Sequence, residues 1–290
     1  YNDGMKRVFL VISIFVIGYL IFQFSNYDSK KQNKNDVQQS NSDKLQATGS
    51  KLQAERSLFV PYWQISGGSE VSDQYDRYIY FGVAGTTEGV PEDDPGYEHM
   101  EGFMNMTKGS RWLTVRMTDS AVNDEVLSNK ESQIKIVQDA VQIAKQHGFD
   151  GVVLDFEYNS VFGGKVKEVT SFYKVFSENT KSANLKFAIT LYGDVFYRKR
   201  PYEVVEIEKF TDEIMIMAYD LHKSRGEPGP NFPLSAGKKY GYGYDLLFAD
   251  LEKYVSAEKI TVIFGMYGYD WKVDEQGRPI TLASSITTAQ

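Results

Sequence analysis

Apolar, β-rich runs recur along the chain: LFVPYWQI (58–65), RYIYFGVA (77–84), RWLTVRM (111–117), GVVLDFE (151–157), KFAITLY (186–192), EIMIMAY (213–219) and ITVIFGMY (260–267). Helical spacing separates several of them. It is clearest over 128–147, where Ile134, Val137, Val141 and Ile143–Ala144 form a stripe that stops at Gly148. Residues 166–183 and 244–255 read the same way. Strands alternating with helices imply parallel pairing and an α/β fold. Near-continuous apolar strands suit either an open doubly wound sheet or a closed barrel. No GxGxxG follows the first strand and no GxxxxGK[ST] occurs, so nucleotide-binding sheets lose support and a TIM-type (β/α)₈ barrel is favoured. Seven strands are legible. An eighth is expected where the chain stops at ITLASSITTAQ, so the sequence reads as a C-terminally incomplete barrel or one with an unusual closure.

Ahead of the first strand the pattern changes. Met5 reads as the natural start, and Lys6 and Arg7 precede an uncharged apolar run, residues 8–24. As a helix this run spans about 25 Å, the short end of what crosses a bilayer. A cleaved signal peptide is the alternative. No small-x-small cleavage site follows closely, which favours one uncleaved transmembrane helix with the rest of the chain outside the cytoplasm, in the cell envelope. Residues 25–56, rich in Gln, Asn, Ser, Lys and Asp, cannot bury a core and are expected to form a flexible tether. The expected order is anchor (1–24), tether (25–56) and globular domain (57–290).

Composition narrows the partners. A net charge of -7 argues against a nucleic-acid partner. Twenty Tyr and three Trp offer rings for stacking on sugar-like ligands, although core packing accounts for most of them. The absence of cysteine removes disulfides, thiolate nucleophiles and Cys-ligated zinc. His99, His147 and His222 are scattered without paired-ligand spacing, so neither a metal site nor a cofactor is expected. A monomer is expected.

The chemistry gathers in DGVVLDFEY, 150–158. Residues two apart on a strand face the same side, so Gly151, Val153, Asp155 and Glu157 share one face. In a barrel that face points inward and Glu157 reaches the C-terminal mouth, where barrel enzymes keep their chemistry. Two close inward carboxylates do not both ionise cheaply, so one is expected to hold a proton near neutral pH. The competing reading is an inward ion pair, with Arg116 as the nearest candidate.

With these residues in place, the chain resembles glycoside hydrolase family 18, the chitinase-like barrels, whose fourth strand carries DGxDxDxE. Asp150, Gly151, Asp155 and Glu157 match, and Val153 replaces the middle acid. MAYD (217–220) resembles the family's sixth-strand M-x-Y-D, and GMYGYDW (265–271) its seventh-strand YGxxW run. PGPNFPL (228–234) and the stretch to Trp271 look most like bacterial members related to spore-cortex and cell-wall hydrolases.

The resemblance implies roles. Glu157 would be general acid and base, and the substrate's own 2-acetamido oxygen the nucleophile. Asp155 would orient the acetamido group and stabilise the positive intermediate, with Tyr219 donating to the acetamido oxygen. Asp150, Met217, Asp220 and Tyr267 would position or contact substrate. Tyr62, Trp63 and Trp271 are the stacking candidates, with Trp63 equally readable as a core plug. The implied activity is cleavage of β-1,4-linked N-acetylglucosamine polymers, peptidoglycan or chitin. The alternative is a non-catalytic sugar-binding barrel, which the family also contains; retention of Glu157 counts against it.

Overall fold

The computed structural model describes residues 54–65, 73–159 and 164–287. The anchor and nearly all of the tether expected from the sequence lie outside these residues, and among the described residues no helix is long and apolar enough to cross a membrane. Glu55–Gln290 forms one unit.

Seven strands, β1 (Ser57–Pro61), β2 (Arg77–Ala84), β3 (Ser110–Met117), β4 (Gly151–Phe156), β5 (Lys186–Tyr192), β6 (Glu213–Met217) and β7 (Ile260–Ile263), lie side by side in chain order. Every neighbouring pair is parallel. The helices that return the chain are α1 (Pro95–Glu98), α2 (Met100–Met106), α3 (Ser120–Ser128), α4 (Lys130–His147), α5 (Val166–Ser182), α6 (Val204–Glu208), α7 (Gly237–Tyr240) and α8 (Tyr244–Tyr254). Two short strands, β8 (Tyr267–Asp270) and β9 (Ser284–Thr287), form a separate antiparallel pair.

The sheet is curled as in a barrel, and one ion pair demonstrates it. Arg77 at the start of β2 bonds both oxygens of Glu213 at the start of β6, at 2.6 and 2.8 Å. In a flat sheet strands four places apart would stand about 19 Å from one another. The Arg77 guanidinium also lies 4.3 Å from the centre of the Trp112 ring and donates to Ser57. Above this pair sits one apolar layer to which each of the seven strands contributes a side chain: Phe59, Ile79, Trp112, Val153, Ala188, Met215 and Ile263. Gly151 makes room for it, because a Cβ there would stand 2.7 Å from the Trp112 indole. A second cluster packs between sheet and helices, including Val152, Leu154 and Phe156 from the outward face of β4 and Phe172 and Phe176 from α5.

Local chemistry adjusts several boundaries. The helix read over 128–147 is α4 and begins two residues later, at Lys130, because the Asn129 side chain accepts from the backbone N–H of Glu131 and Ser132 and separates it from α3, which ends at Ser128. Gly148, at φ 73°, ends α4 as the sequence indicates. The buried face of α4 runs through Ile136, Val137, Ala140, Ile143 and Ala144, while Ile134 is exposed. The chain leaves β1 at Pro61 into a 3₁₀ turn, Tyr62–Gln64. The sequence pattern carries the seventh strand through Tyr267; the structure ends β7 at Ile263 and places Tyr267 in the β8–β9 hairpin. The segment expected to begin an eighth barrel strand pairs with β8 instead, and no eighth strand joins the parallel sheet among the described residues.

Candidate active site

Parity on β4 does what the sequence predicts. Val153 is sealed in the apolar layer, Asp155 lies one step above it and 2% exposed, and Glu157 follows at the mouth. The Glu157 main chain is fixed on both sides: its N–H donates to Met117 at 2.8 Å, and its carbonyl accepts from the Asn123 side chain at 2.9 Å.

Each acid receives a hydroxyl from β5. Thr190 donates to Asp155 Oδ1, and Tyr192 donates to Glu157 Oε2 at 3.0 Å. Tyr192 is itself held in place. Its oxygen accepts from the Asn159 amide at 3.1 Å, Asn159 accepts from Arg200, and the Arg200 guanidinium stacks 4.0 Å from the Tyr192 ring centre. Arg200 is anchored in turn by Asp194 at 2.9 and 2.8 Å. Burial and the charge of Glu157 push the Tyr192 phenol far above its ordinary range.

The upward shift among the acids falls on Asp155. Burial is the largest cause and the nearby charge of Glu157 the second; the Thr190 hydrogen bond and Arg116 pull the other way, and the balance stands at about 7. Arg116 is not its ion-pair partner. Although it stands beside Asp155 in the register, its guanidinium is engaged by Asp94 at 2.9 Å and by the Gly82 carbonyl at 2.8 Å, beneath the Tyr62 ring.

Above the acids a cleft of about 440 Å³, open to solvent, is lined by Glu157, Tyr192, Gly193, Asp194, Arg200, Met217, Tyr219, Asp220, Leu221, Lys223 and Phe232. Asp155 is absent from that lining: its carboxyl is turned beneath the floor. Tyr219 projects into the cleft just past the end of β6, and burial followed by the charges of Asp155 and Glu157 raises its phenol well above normal. Asp220 sits in the left-handed region at φ 58°, which Asp tolerates better than most residues. Its Oδ1 accepts from Tyr267 at 2.7 Å and Tyr269 at 2.8 Å, tying the hairpin to the mouth; burial, and after it this bond to Asp220, push the Tyr269 phenol up to about 12.

The structure therefore brings Asp155, Glu157, Met217, Tyr219, Asp220 and Tyr267 together. Tyr62 and Trp63 follow β1 on the same rim, and Trp63 is 60% exposed and no core plug. Trp271 packs beside Tyr269 just beyond β8. Asp150 does not join them. It precedes β4 at the opposite end of the barrel, five residues or about 17 Å from Asp155. There its carboxyl accepts from the Arg111 N–H at 2.9 Å and starts the strand. The motifs do not point to Thr190, Tyr192, Asn159, Arg200 or Asp194. Strand parity along KFAITLY was the available signal for the first two.

The comparisons agree with this geometry. The model of the family "Glycosyl hydrolases family 18" matches residues 16–288. The chain belongs to that family. Among relatives of family 18, it is 26% identical over 185 residues to the uncharacterized glycosylase YvbX of Bacillus subtilis, covering 60% of this chain and 51% of that protein. It is 26% identical over 166 residues to the putative sporulation-specific glycosylase YdhD of the same organism, covering 56% and 37%. The chain thus spans about half or less of the length of these relatives. Among solved structures, a class V chitinase from Nicotiana tobaccum in complex with NAG4 superposes with a TM-score of 0.69 at 15% identity, covering 81% of this chain and 77% of that one. The YdhD structure gives a TM-score of 0.60 at 21% identity, covering 73% and 70%. These likenesses bear out the family 18 barrel-type fold.

Proposed function

We propose that this family 18 chain is a membrane-tethered retaining glycosidase that cuts β-1,4-linked N-acetylglucosamine-containing glycan, peptidoglycan or chitin. One observation carries the mechanism. Three carboxyl side chains line the cleft, and two are already committed: Asp194 to Arg198 and Arg200, Asp220 to two tyrosine hydroxyls. Among the described residues Glu157 alone lines the cleft with no partner but a tyrosine hydroxyl, and none of them is a second acid placed as a nucleophile.

Glu157 gives its proton to the glycosidic oxygen as that bond breaks, and the substrate's own acetamido oxygen closes on the anomeric carbon from the opposite face. The ring so formed is cationic. Asp155 as an anion stabilises it, and the Tyr219 hydroxyl donates to the acetamido oxygen. Glu157, now a carboxylate, takes a proton from the water that opens the ring, giving retention. Tyr62, Trp63 and Trp271 supply flat apolar surface for sugar rings. The uncharged run 8–24 holds the domain at the membrane and residues 25–56 let it reach an envelope polymer.

An N-acetylglucosamine tetramer is the first test. It is expected to be cut with retention, followed by the anomeric proton signals, while the glucose and free glucosamine tetramers stay intact. Glu157→Gln is expected to lose about 10² to 10⁴-fold in turnover. Efficient cleavage of an unacetylated tetramer, or unchanged turnover in Glu157→Gln, refutes the mechanism. Glycan binding without turnover by the wild type makes the chain a sugar-binding barrel instead. Protease added to intact spheroplasts is expected to remove the domain, and full protection overturns the topology.

A further inference from the structure

The inward faces of β4 and β5 run as matched ladders. Val153 stands opposite Ala188 in the register, and the next pairs up the barrel are Asp155 with Thr190 and Glu157 with Tyr192. Below the acids the ladder is wholly apolar: Val153, Ala188 and Met215 are fully buried, and Trp112 nearly so. The position under Asp155 that carries an acid in the family's motif therefore offers it nothing. The β3 side offers nothing either. Thr114, beside Val153, has a buried hydroxyl with no partner, and Arg116 is turned to Asp94. The Thr190 hydroxyl is the one hydrogen bond on the Asp155 carboxyl among the described residues.

We infer that Thr190 is a positioning residue for catalysis, holding Asp155 withdrawn beneath the cleft floor between turnovers in place of the acid missing at position 153. This rests on the reading of Asp155 as the group that meets the acetamido moiety. A hydroxyl suits the task differently from an acid. It donates to the ionised carboxyl and accepts from the protonated one, so Asp155 keeps a partner in both states. It brings no proton of its own into the titration, so the site cycles one acidic proton fewer than a three-acid strand would.

The sign of the effect follows. The Thr190 donor favours the carboxylate, so deleting it in Thr190→Val strengthens proton binding by Asp155. Asp155 must be anionic to face the cationic ring, so the acidic limb of the rate profile moves to higher pH. A hydrogen bond to a charged group corresponds to about one pH unit of that shift. The other charged or titratable groups acting around Asp155 are Glu157 on its own strand, Arg116 from β3, Tyr219 from β6, Tyr173 from α5 and Tyr202. The tyrosines titrate far above this range, and the neighbouring Glu157 carboxyl is the group whose signal must be told apart from that of Asp155.

The experiment removes that ambiguity. The side-chain carboxyl of Asp155 is titrated by carbon NMR in the full chain, in the wild type and in Glu157→Gln, each with and without Thr190→Val. Thr190→Val is expected to raise the Asp155 midpoint by about one pH unit in both backgrounds. In the wild-type background it is also expected to cut turnover of the N-acetylglucosamine tetramer about tenfold with KM within twofold, and Thr190→Ser is expected to restore both rate and midpoint. An unmoved midpoint in Thr190→Val overturns the inference, as does an equal rate loss in the Val and Ser variants without a shift. The titration needs no turnover. A wild type that cuts none of the tetramers counts against the reading of the site, while a moved midpoint still upholds the role of Thr190.

Discussion

Glu213→Gln tests the barrel floor most directly, because it keeps the shape of the side chain and removes its charge. Arg77 is only 4% exposed in its side chain and Glu213 14% exposed, with both guanidinium–carboxylate contacts under 3 Å. Breaking such a pair by removing one partner costs about 3–5 kcal/mol, because a buried charge is left uncompensated. Here the amide oxygen still accepts one bond, and Glu55, half-exposed at 3.5 Å, supplies part of a counter-charge. The low end, about 3 kcal/mol, is therefore expected. For a domain of this size that lowers Tm by about 6–12 °C. Thermal melts followed by circular dichroism, repeated in urea, are the assay. Arg77→Met combined with Glu213→Leu replaces the pair by apolar side chains and is expected to fall within about 1 kcal/mol of the wild type or above it. A Glu213→Gln melt within about 2 °C of the wild type refutes the argument that this pair bridges the barrel interior.

Asp155 has a folded-state pKa of about 7, against about 3.9 in an unfolded chain, so the folded state holds the extra proton between these values. Its contribution favours folding at low pH and turns against it as pH rises through about 4 to 7; Asp155→Asn should therefore raise Tm at pH 8 while crippling turnover, and an unchanged Tm at that pH would refute this. Tyr192→Phe removes the one hydroxyl on the Glu157 carboxyl among the described residues and is expected to lower kcat about tenfold with little change in KM; a change confined to KM would mean that Tyr192 only contacts substrate. Trp63→Ala removes an exposed ring at the rim and is expected to raise KM for the tetramer about fivefold at constant kcat, measured by initial rates. Asp220→Ala frees both hairpin tyrosines and is expected to cost about 2 kcal/mol and to speed protease nicking between residues 264 and 284, with Asp220→Asn milder.

Periodicity made the alternating frame and the facing of Asp155 and Glu157 readable in the sequence, because both depend only on spacing along one strand. A motif match does not by itself bring its members together: Asp150 precedes the strand and bonds the Arg111 N–H at the barrel floor, a strand's length from Glu157 at the mouth. Nor could periodicity find partners contributed from afar. Parity along KFAITLY could mark Thr190 as inward but not name its partner Asp155, 35 residues away, and Arg200 lies 41 from Asn159. Trp63 was ambiguous because a tight turn after β1, not the strand's alternation, sets where its ring points. The seventh strand was overextended because ITVIFGMY is apolar throughout, although the chain leaves the sheet at Ile263.

Val153 also limits how this site can be altered. With Trp112, Ala188 and Met215 closed around it, an aspartate at 153 would press a carboxyl into an apolar layer, with the buried Thr114 hydroxyl beside it on β3. An unpaired acid there neutralises or destabilises the fold, so Val153→Asp alone should melt well below the wild type rather than behave like a family enzyme. An acid at 153 needs a second change made together with it, one that opens space for water or adds a donor. Each neighbour packed against Val153 thus raises the cost of any polar group at that position, which leaves β5, the strand that carries Thr190 and Tyr192, as the more tolerant place to alter the site.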